Sequence, residues 1–211
     1  MLKIWGRKNS VNVEKVIWVC DELELPYERV DAGGPFGIVD TADYRAMNPN
    51  GLVPTVEVDG MVLWESHAIL RYLAAKHSAG DLWPEDPAVR VEADRWMDWA
   101  STMFWPAFRP LFWNLVRTEP AQRDAQAMAQ SFERSAELLG FLDDHLASHT
   151  FIAGDRFSIG DIPMGCSVWR WLALPEDQLT RARPQYPSLM RWFETLKRRP
   201  CYNQLASQAL T

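Results

Sequence analysis

The chain has 211 residues, 47% of them hydrophobic and 24% charged, enough apolar material for one large or two small domains with packed cores. Its formal net charge of -6 and pI near 5.3 disfavour a nucleic-acid partner, because phosphate binding draws on clustered Lys and Arg. No run approaches the roughly 18 apolar residues of a membrane span, and the opening MLKIWGRKNS lacks the apolar segment and cleavage site of a secretory signal, so a soluble cytoplasmic protein is expected.

LKIW reads as a strand, Val11 to Leu23 as an amphipathic helix, and YERV after Pro26 as a second strand. The helix carries the stripe Val13, Val16, Ile17, Cys20 and Leu23, which makes Cys20 a core residue. Cys20, Cys166 and Cys201 stand far apart without a CxxC pair or metal-ligand spacing, so neither a disulfide framework nor a metal site is expected. The stretch DAGGPFGIVDTADYRAMNPNG is a loop region holding one short helix. TVEV and MVLW then flank Asp59-Gly60, a two-residue loop suited to a type I′ hairpin, and Ser66 is expected to cap a helix carrying Ile69, Leu70, Tyr72 and Leu73. Neighbouring His67 reads as an exposed first-turn residue.

This order, βαβ, loop, ββα, covers residues 1–78. SAGDLWPEDPAVR is rich in turn residues and predicts a linker over 79–87, after which residues 88–211 give helical signals. The expected fold class is an α/β domain followed by an all-α domain. In the helical half, FSIGDI pairs Ser158 with Asp161 as a capping box, with Phe157 and Ile162 as its hydrophobic staple. ADRWMDWASTMFWPAFRPLFWNLV is dense in aromatics: Ala93, Trp96, Met97, Ala100 and Phe104 form one stripe, while Trp105, Phe112 and Trp113 lie off it. Pro106 and Pro110 are expected to kink this helix, and Lys197-Arg198-Arg199 reads as a solvated helix end.

Val53-Pro54 stands at the mouth of the strand TVEV, where a proline must lie on an edge, begin the strand or serve a turn. A cis bond there would turn the preceding backbone out of the sheet, leaving the N–H and C=O of Val53 free to pair with an extended peptide. With NPNGLVPTVEVDG and LWESHAILRYLA in this βαβ, loop, ββα context and a helical second half, the chain resembles a cytosolic glutathione transferase over essentially its whole length. The resemblance implies a thioredoxin-like N-terminal domain, with Pro54 as the cis-proline and the Val53 backbone holding the cysteinyl part of glutathione. It further implies that Ser66 takes the γ-glutamyl carboxylate while Glu65 faces the amine.

By the same resemblance to serine-type members, Ser10 is the catalytic hydroxyl, six residues before the apolar Val16, donating to the glutathione sulfur at a helix N-terminus. Both effects favour thiolate. Read alone, Ser10 is also a plain helix cap. This loop departs from the family pattern with Val11, Asn12, Val13, Glu14 and Lys15; the Asn12 amide can share or take over the role, and Asn9 is a weaker candidate. Arg45, Arg7 and Lys8 are open choices for the glycyl carboxylate.

For a hydrophobic electrophile, the resemblance implies an aromatic wall built by Trp105, Phe108 and Phe112, joined by Trp169 and Trp171. It also implies a homodimer, in which Asp94 or Asp98 reaches the partner's glutathione; a salt-bridged surface is the other reading of these two. Glutathione is the expected co-substrate, and no metal, nucleic acid or membrane is expected. A glutathione-dependent peroxidase, reductase or dehalogenase is the alternative enzyme, although the Gly6 to Val13 loop has no cysteine. The alternative of another class is a non-catalytic binding module on the same fold.

Overall fold

The computed structural model describes residues 1–199, 202 and 209–211; Cys201 and the start of the tail LASQALT lie outside the described residues. The chain divides into two compact units, one running from Met1 to Glu85 and the other beginning at Asp86.

The first unit holds strands β1 (Leu2–Trp5), β2 (Tyr27–Val30), β3 (Thr55–Val58) and β4 (Met61–Trp64), with helices α1 (Val11–Glu22), α2 (Ala42–Met47) and α3 (Ser66–His77). The strands lie in the order β2-β1-β3-β4. β1 and β2 are parallel, with Ile4 opposite Arg29, and parallel neighbours need a crossover, which α1 supplies. β3 runs antiparallel to β1, with Val56 opposite Ile4, and to β4. The β3–β4 turn has Asp59 at φ 54° and Gly60 at φ 76°, the paired positive angles that a type I′ turn requires. Leu2, Ile4, Val13, Val16, Ile17, Cys20, Ile69, Leu70 and Leu73 are all buried and make the core between sheet and helices.

The second unit is helical: α4 (Pro87–Trp99), α5 (Trp105–Arg117), α6 (Ala125–Leu146), α7 (Asp161–Ala173) and α8 (Pro187–Lys197). A π-helical turn, Ala100–Phe104, joins α4 to α5. Its cause is local: Pro106 has no N–H to give the carbonyl of Thr102, so the helix widens by one residue where a bond is missing. The extra residue advances the register. Phe108, Leu111, Phe112 and Leu115 follow Phe104 at helical spacing and continue the buried stripe of Ala93, Trp96, Met97, Ala100 and Phe104.

At the entrance to α7, Asp161 Oδ2 accepts from the Ser158 N–H at 2.9 Å, while Ser158 Oγ accepts from the Gly160 N–H at 3.2 Å. Asp161 Oδ1 accepts from Ile152 N–H and Trp192 Nε1–H, each at 2.8 Å, so one fully buried carboxylate ties α7 to α8 and to the loop before it.

Candidate active site

Three elements of the first unit converge: the start of α1, the loop leading into β3 and the start of α3. Ser10 occupies the cap position of α1 in extended conformation, but its side chain makes no capping bond. It is buried, at 7% exposure. Asn12, half a turn further on, is half-buried and lines a pocket of about 40 Å³ together with Asn48, Asn50, Leu52, Val53, Pro54, Glu65 and Ser66. Five sequence-predicted residues thus meet in one place. Ser10 does not line it.

The Val53-Pro54 bond is cis. Among the described residues neither the N–H nor the C=O of Val53 has a hydrogen-bond partner, whereas the adjoining loop is firmly tied. Asn48 Nδ2 donates to Leu52 O at 2.9 Å and to Thr55 Oγ1 at 3.1 Å, and its Oδ1 accepts from the Asn50 N–H at 3.1 Å. The Tyr44 hydroxyl donates to Leu52 O at 2.8 Å. Gly51 closes this turn at φ 62°, where a β-carbon would come within 3.1 Å of the Val39 carbonyl. Asn48 and Asn50 were absent from the sequence-level site; the signal for them was the Asn-Pro-Asn-Gly turn, whose asparagines bond their own backbone.

At α3 the expectation for Ser66 needs correcting. Glu65, not Ser66, holds the cap position, at φ 68°, and Ser66 is the first helical residue. Freed from capping, the buried Ser66 Oγ donates to Asn12 Oδ1 at 3.4 Å. A non-glycine residue in the left-handed region beside a pocket is the kind of outlier that marks a working site.

His67 is also corrected, for it is buried at 9% exposure rather than exposed. The close packing of α1 on α3 puts its Nε2 3.1 Å from Lys15 Nζ, which in turn donates to Asn12 Oδ1 at 3.0 Å. Burial, the Lys15 charge and Arg71 press the imidazole pKa down to about 2, so His67 is neutral. Nothing in the local sequence signalled this pair, since a lysine at a helix start and a histidine in a first turn usually face solvent.

The other candidates fall elsewhere. Arg45 bonds Asp40 at 2.6 Å and the Pro49 carbonyl at 3.2 Å, and Arg7 donates to Asn9 Oδ1 at 3.1 Å. Neither they nor Lys8 line the pocket. In the second unit, Phe108 and Phe112 are buried to 0% and 1% exposure among Phe104, Trp105 and Trp171, so they are core residues and not an open wall. Trp105 and Trp169 are partly exposed, and Asp94 and Asp98 lie on α4. Cys20 is buried and its thiol is pushed up to about 12 by burial and by Asp21. Among the described residues no group of three or more His, Cys, Asp or Glu is arranged to hold a metal ion, and no helix is long and apolar enough to cross a membrane.

Both halves of the chain match described families: residues 9–76 match "Glutathione S-transferase, N-terminal domain" and residues 95–200 match "Glutathione S-transferase, C-terminal domain". The chain is 42% identical to glutathione S-transferase GstB of Escherichia coli strain K12, over 97% of each chain. It is 31% identical to glutathione S-transferase 3 of Zea mays, over 96% of this chain and 92% of that one. A crystal structure of the theta class glutathione S-transferase of Xanthomonas axonopodis pv. citri with glutathione bound superposes with a TM-score of 0.93, at 44% identity, over 100% of this chain and 99% of that one. The chain belongs to the glutathione S-transferase family. Its activity is that of a glutathione transferase, carried on a thioredoxin-like unit followed by a helical one.

Proposed function

We propose that the first unit binds glutathione in extended form along the Val53 edge, that Asn12 activates its thiol, and that the thiolate attacks a small hydrophobic electrophile. The observation that carries this reading is the pocket uniting Asn12, Val53, Pro54, Glu65 and Ser66. The unpartnered N–H and C=O of Val53 suit the cysteinyl main chain. Ser66 Oγ and the first N–H groups of α3 suit the γ-glutamyl carboxylate, and the Glu65 carboxylate suits its amine.

The chemistry is thiol ionisation followed by substitution. The sulfur loses its proton to solvent, a sulfur–carbon bond forms, and the leaving group departs with its bonding pair. A free thiol titrates near pH 8.5, and lowering it by about two units requires about 2.7 kcal/mol. A hydrogen bond to a charged acceptor supplies about 1.5–3 kcal/mol and a helix N-terminus about 0.3–1 kcal/mol, so Asn12 and α1 suffice together. Ser10, buried at the same helix end, is the second donor in this proposal. No metal enters the step.

Trp105 and Trp169, both partly exposed, are the members of the expected aromatic wall that retain surface for the electrophile. The inert Cys20 thiol favours transfer over a cysteine-based reductase. We expect a cytoplasmic homodimer. In conjugation assays with an aromatic halide, Asn12→Ala should lower kcat/KM near pH 6.5 by roughly 10–100-fold and Ser10→Ala by less. If the protein binds glutathione but conjugates no electrophile, and both variants leave every activity unchanged, the reading fails.

A further inference from the structure

We propose that Lys15 and His67 are positioning residues that hold the Asn12 carboxamide with its oxygen turned inward and its N–H₂ group turned to the glutathione sulfur. The inference rests on the reading of Asn12 as the thiol's donor. It names what aims that donor.

The argument is one of donor and acceptor inventory. A lysine ammonium has three N–H bonds and no lone pair, so of the two terminal atoms of Asn12 only Oδ1 can face it at 3.0 Å. Rotating the amide by half a turn would set N–H₂ against –NH₃⁺. His67 fixes the other side of the ammonium: Nε2 lies 3.1 Å from Nζ and must accept, which places the imidazole proton on Nδ1. Lys15 is itself buried at 7% exposure, with both of these acceptors on its ammonium.

Ser66 Oγ is the second donor to Asn12 Oδ1, at a longer 3.4 Å. Its single hydrogen is diverted once a γ-glutamyl carboxylate arrives, and Lys15 is then what keeps the amide oriented. Among the described residues Asn12 Nδ2 meets no acceptor, which leaves it to a ligand. The other charged groups around the pair are Glu14 beside Lys15 on α1, Arg71 one turn along α3 from His67, and Glu65 at the pocket. Neither Lys15 nor His67 lines the pocket, so the pair acts through Asn12.

The test is the pKa of the bound glutathione thiol, read from thiolate ultraviolet absorbance, with glutathione affinity measured in parallel by calorimetry. Lys15→Met should raise that pKa by about one unit and lower kcat/KM about tenfold below it, with rates converging at high pH and affinity held within about twofold. In the Asn12→Ala background the same change should add nothing, because the group it orients is gone. His67→Leu should raise the thiol pKa and His67→Gln, which keeps an acceptor, should not. An unchanged thiol pKa in Lys15→Met overturns the inference while leaving Asn12 in place. An equal rise in the Asn12→Ala background also overturns it, since Lys15 would then act on the sulfur by its charge. If Asn12→Ala alone leaves the thiol pKa untouched, the underlying reading falls first. Should Lys15→Met not fold, the His67 pair decides, and equal pKa values for leucine and glutamine overturn the proposal.

Discussion

His67 shows how one residue's chemistry depends on what is packed around it. Free in an unfolded chain it titrates near its ordinary 6.5; folded, burial and the Lys15 ammonium take it down to about 2. A base with a depressed pKa binds its proton better when unfolded, so this group's contribution to stability is complete above about pH 6.5 and is lost as the pH falls toward 2. His67→Gln should flatten the acid side of the stability curve between about pH 6 and 4, measured by denaturant unfolding at stepped pH. Parallel wild-type and variant curves would mean the imidazole is not held neutral. From sequence, His67 reads as a surface residue and Ser66 as a helix cap, and neither reading holds. The helix takes its cap geometry at Glu65, one position earlier, and Ser66 and His67 are both buried where α3 packs on α1.

At the scale of an element, the entrance to α7 is where the sequence pattern and the geometry agree in part. Asp161 accepts from the Ser158 N–H as one half of a capping box, but Ser158 Oγ accepts from the Gly160 N–H and not from that of Asp161, and Gly160 holds the cap position of α7. Asp161 also accepts from Ile152 N–H and Trp192 Nε1–H, which no local pattern can reveal. Asp161→Asn would turn an N–H₂ toward N–H donors and should cost about 1–3 kcal/mol in unfolding free energy. Desolvation raises the Asp161 pKa to about 6, against the three N–H groups that favour its charge. The folded state therefore holds the proton more tightly than the unfolded one. That stabilisation is complete below about pH 3.8 and lost as the pH rises through about 6, so wild type minus Asp161→Asn should narrow over this window. A difference that is flat with pH would contradict the shift. In the α4–α5 stretch the pattern misled instead: the kink at Pro106 was legible, but its form, a π turn that advances the register by one, was not. Phe108 and Phe112 belong to the core.

For the whole molecule, each unit has its own buried core, and each leaves apolar side chains in water. Met61, Val62 and Trp64 on β4 are 40–41% exposed, while Val89 and Val91 on α4 and Phe141 on α6 are 49–55% exposed. Scattered single residues of this kind are ordinary, but three on one edge strand invite a covering surface. We expect light scattering to give about twice the 24.3 kDa chain mass at micromolar concentration. A mass equal to one chain would remove the homodimer from the proposal.

The amino-acid order alone was enough for the element order, the type I′ turn at Asp59-Gly60, the proline ahead of β3 and the family, because these rest on backbone preferences and on spacings within a few residues of each other. The aim of Asn12 was decided only by tertiary structure. Its oxygen is claimed by Lys15, which also meets His67, 52 residues away in the chain. Whether a lysine and a histidine meet as donor and acceptor or face water apart depends on which sides two helices bury, and periodicity names those sides only to within a residue.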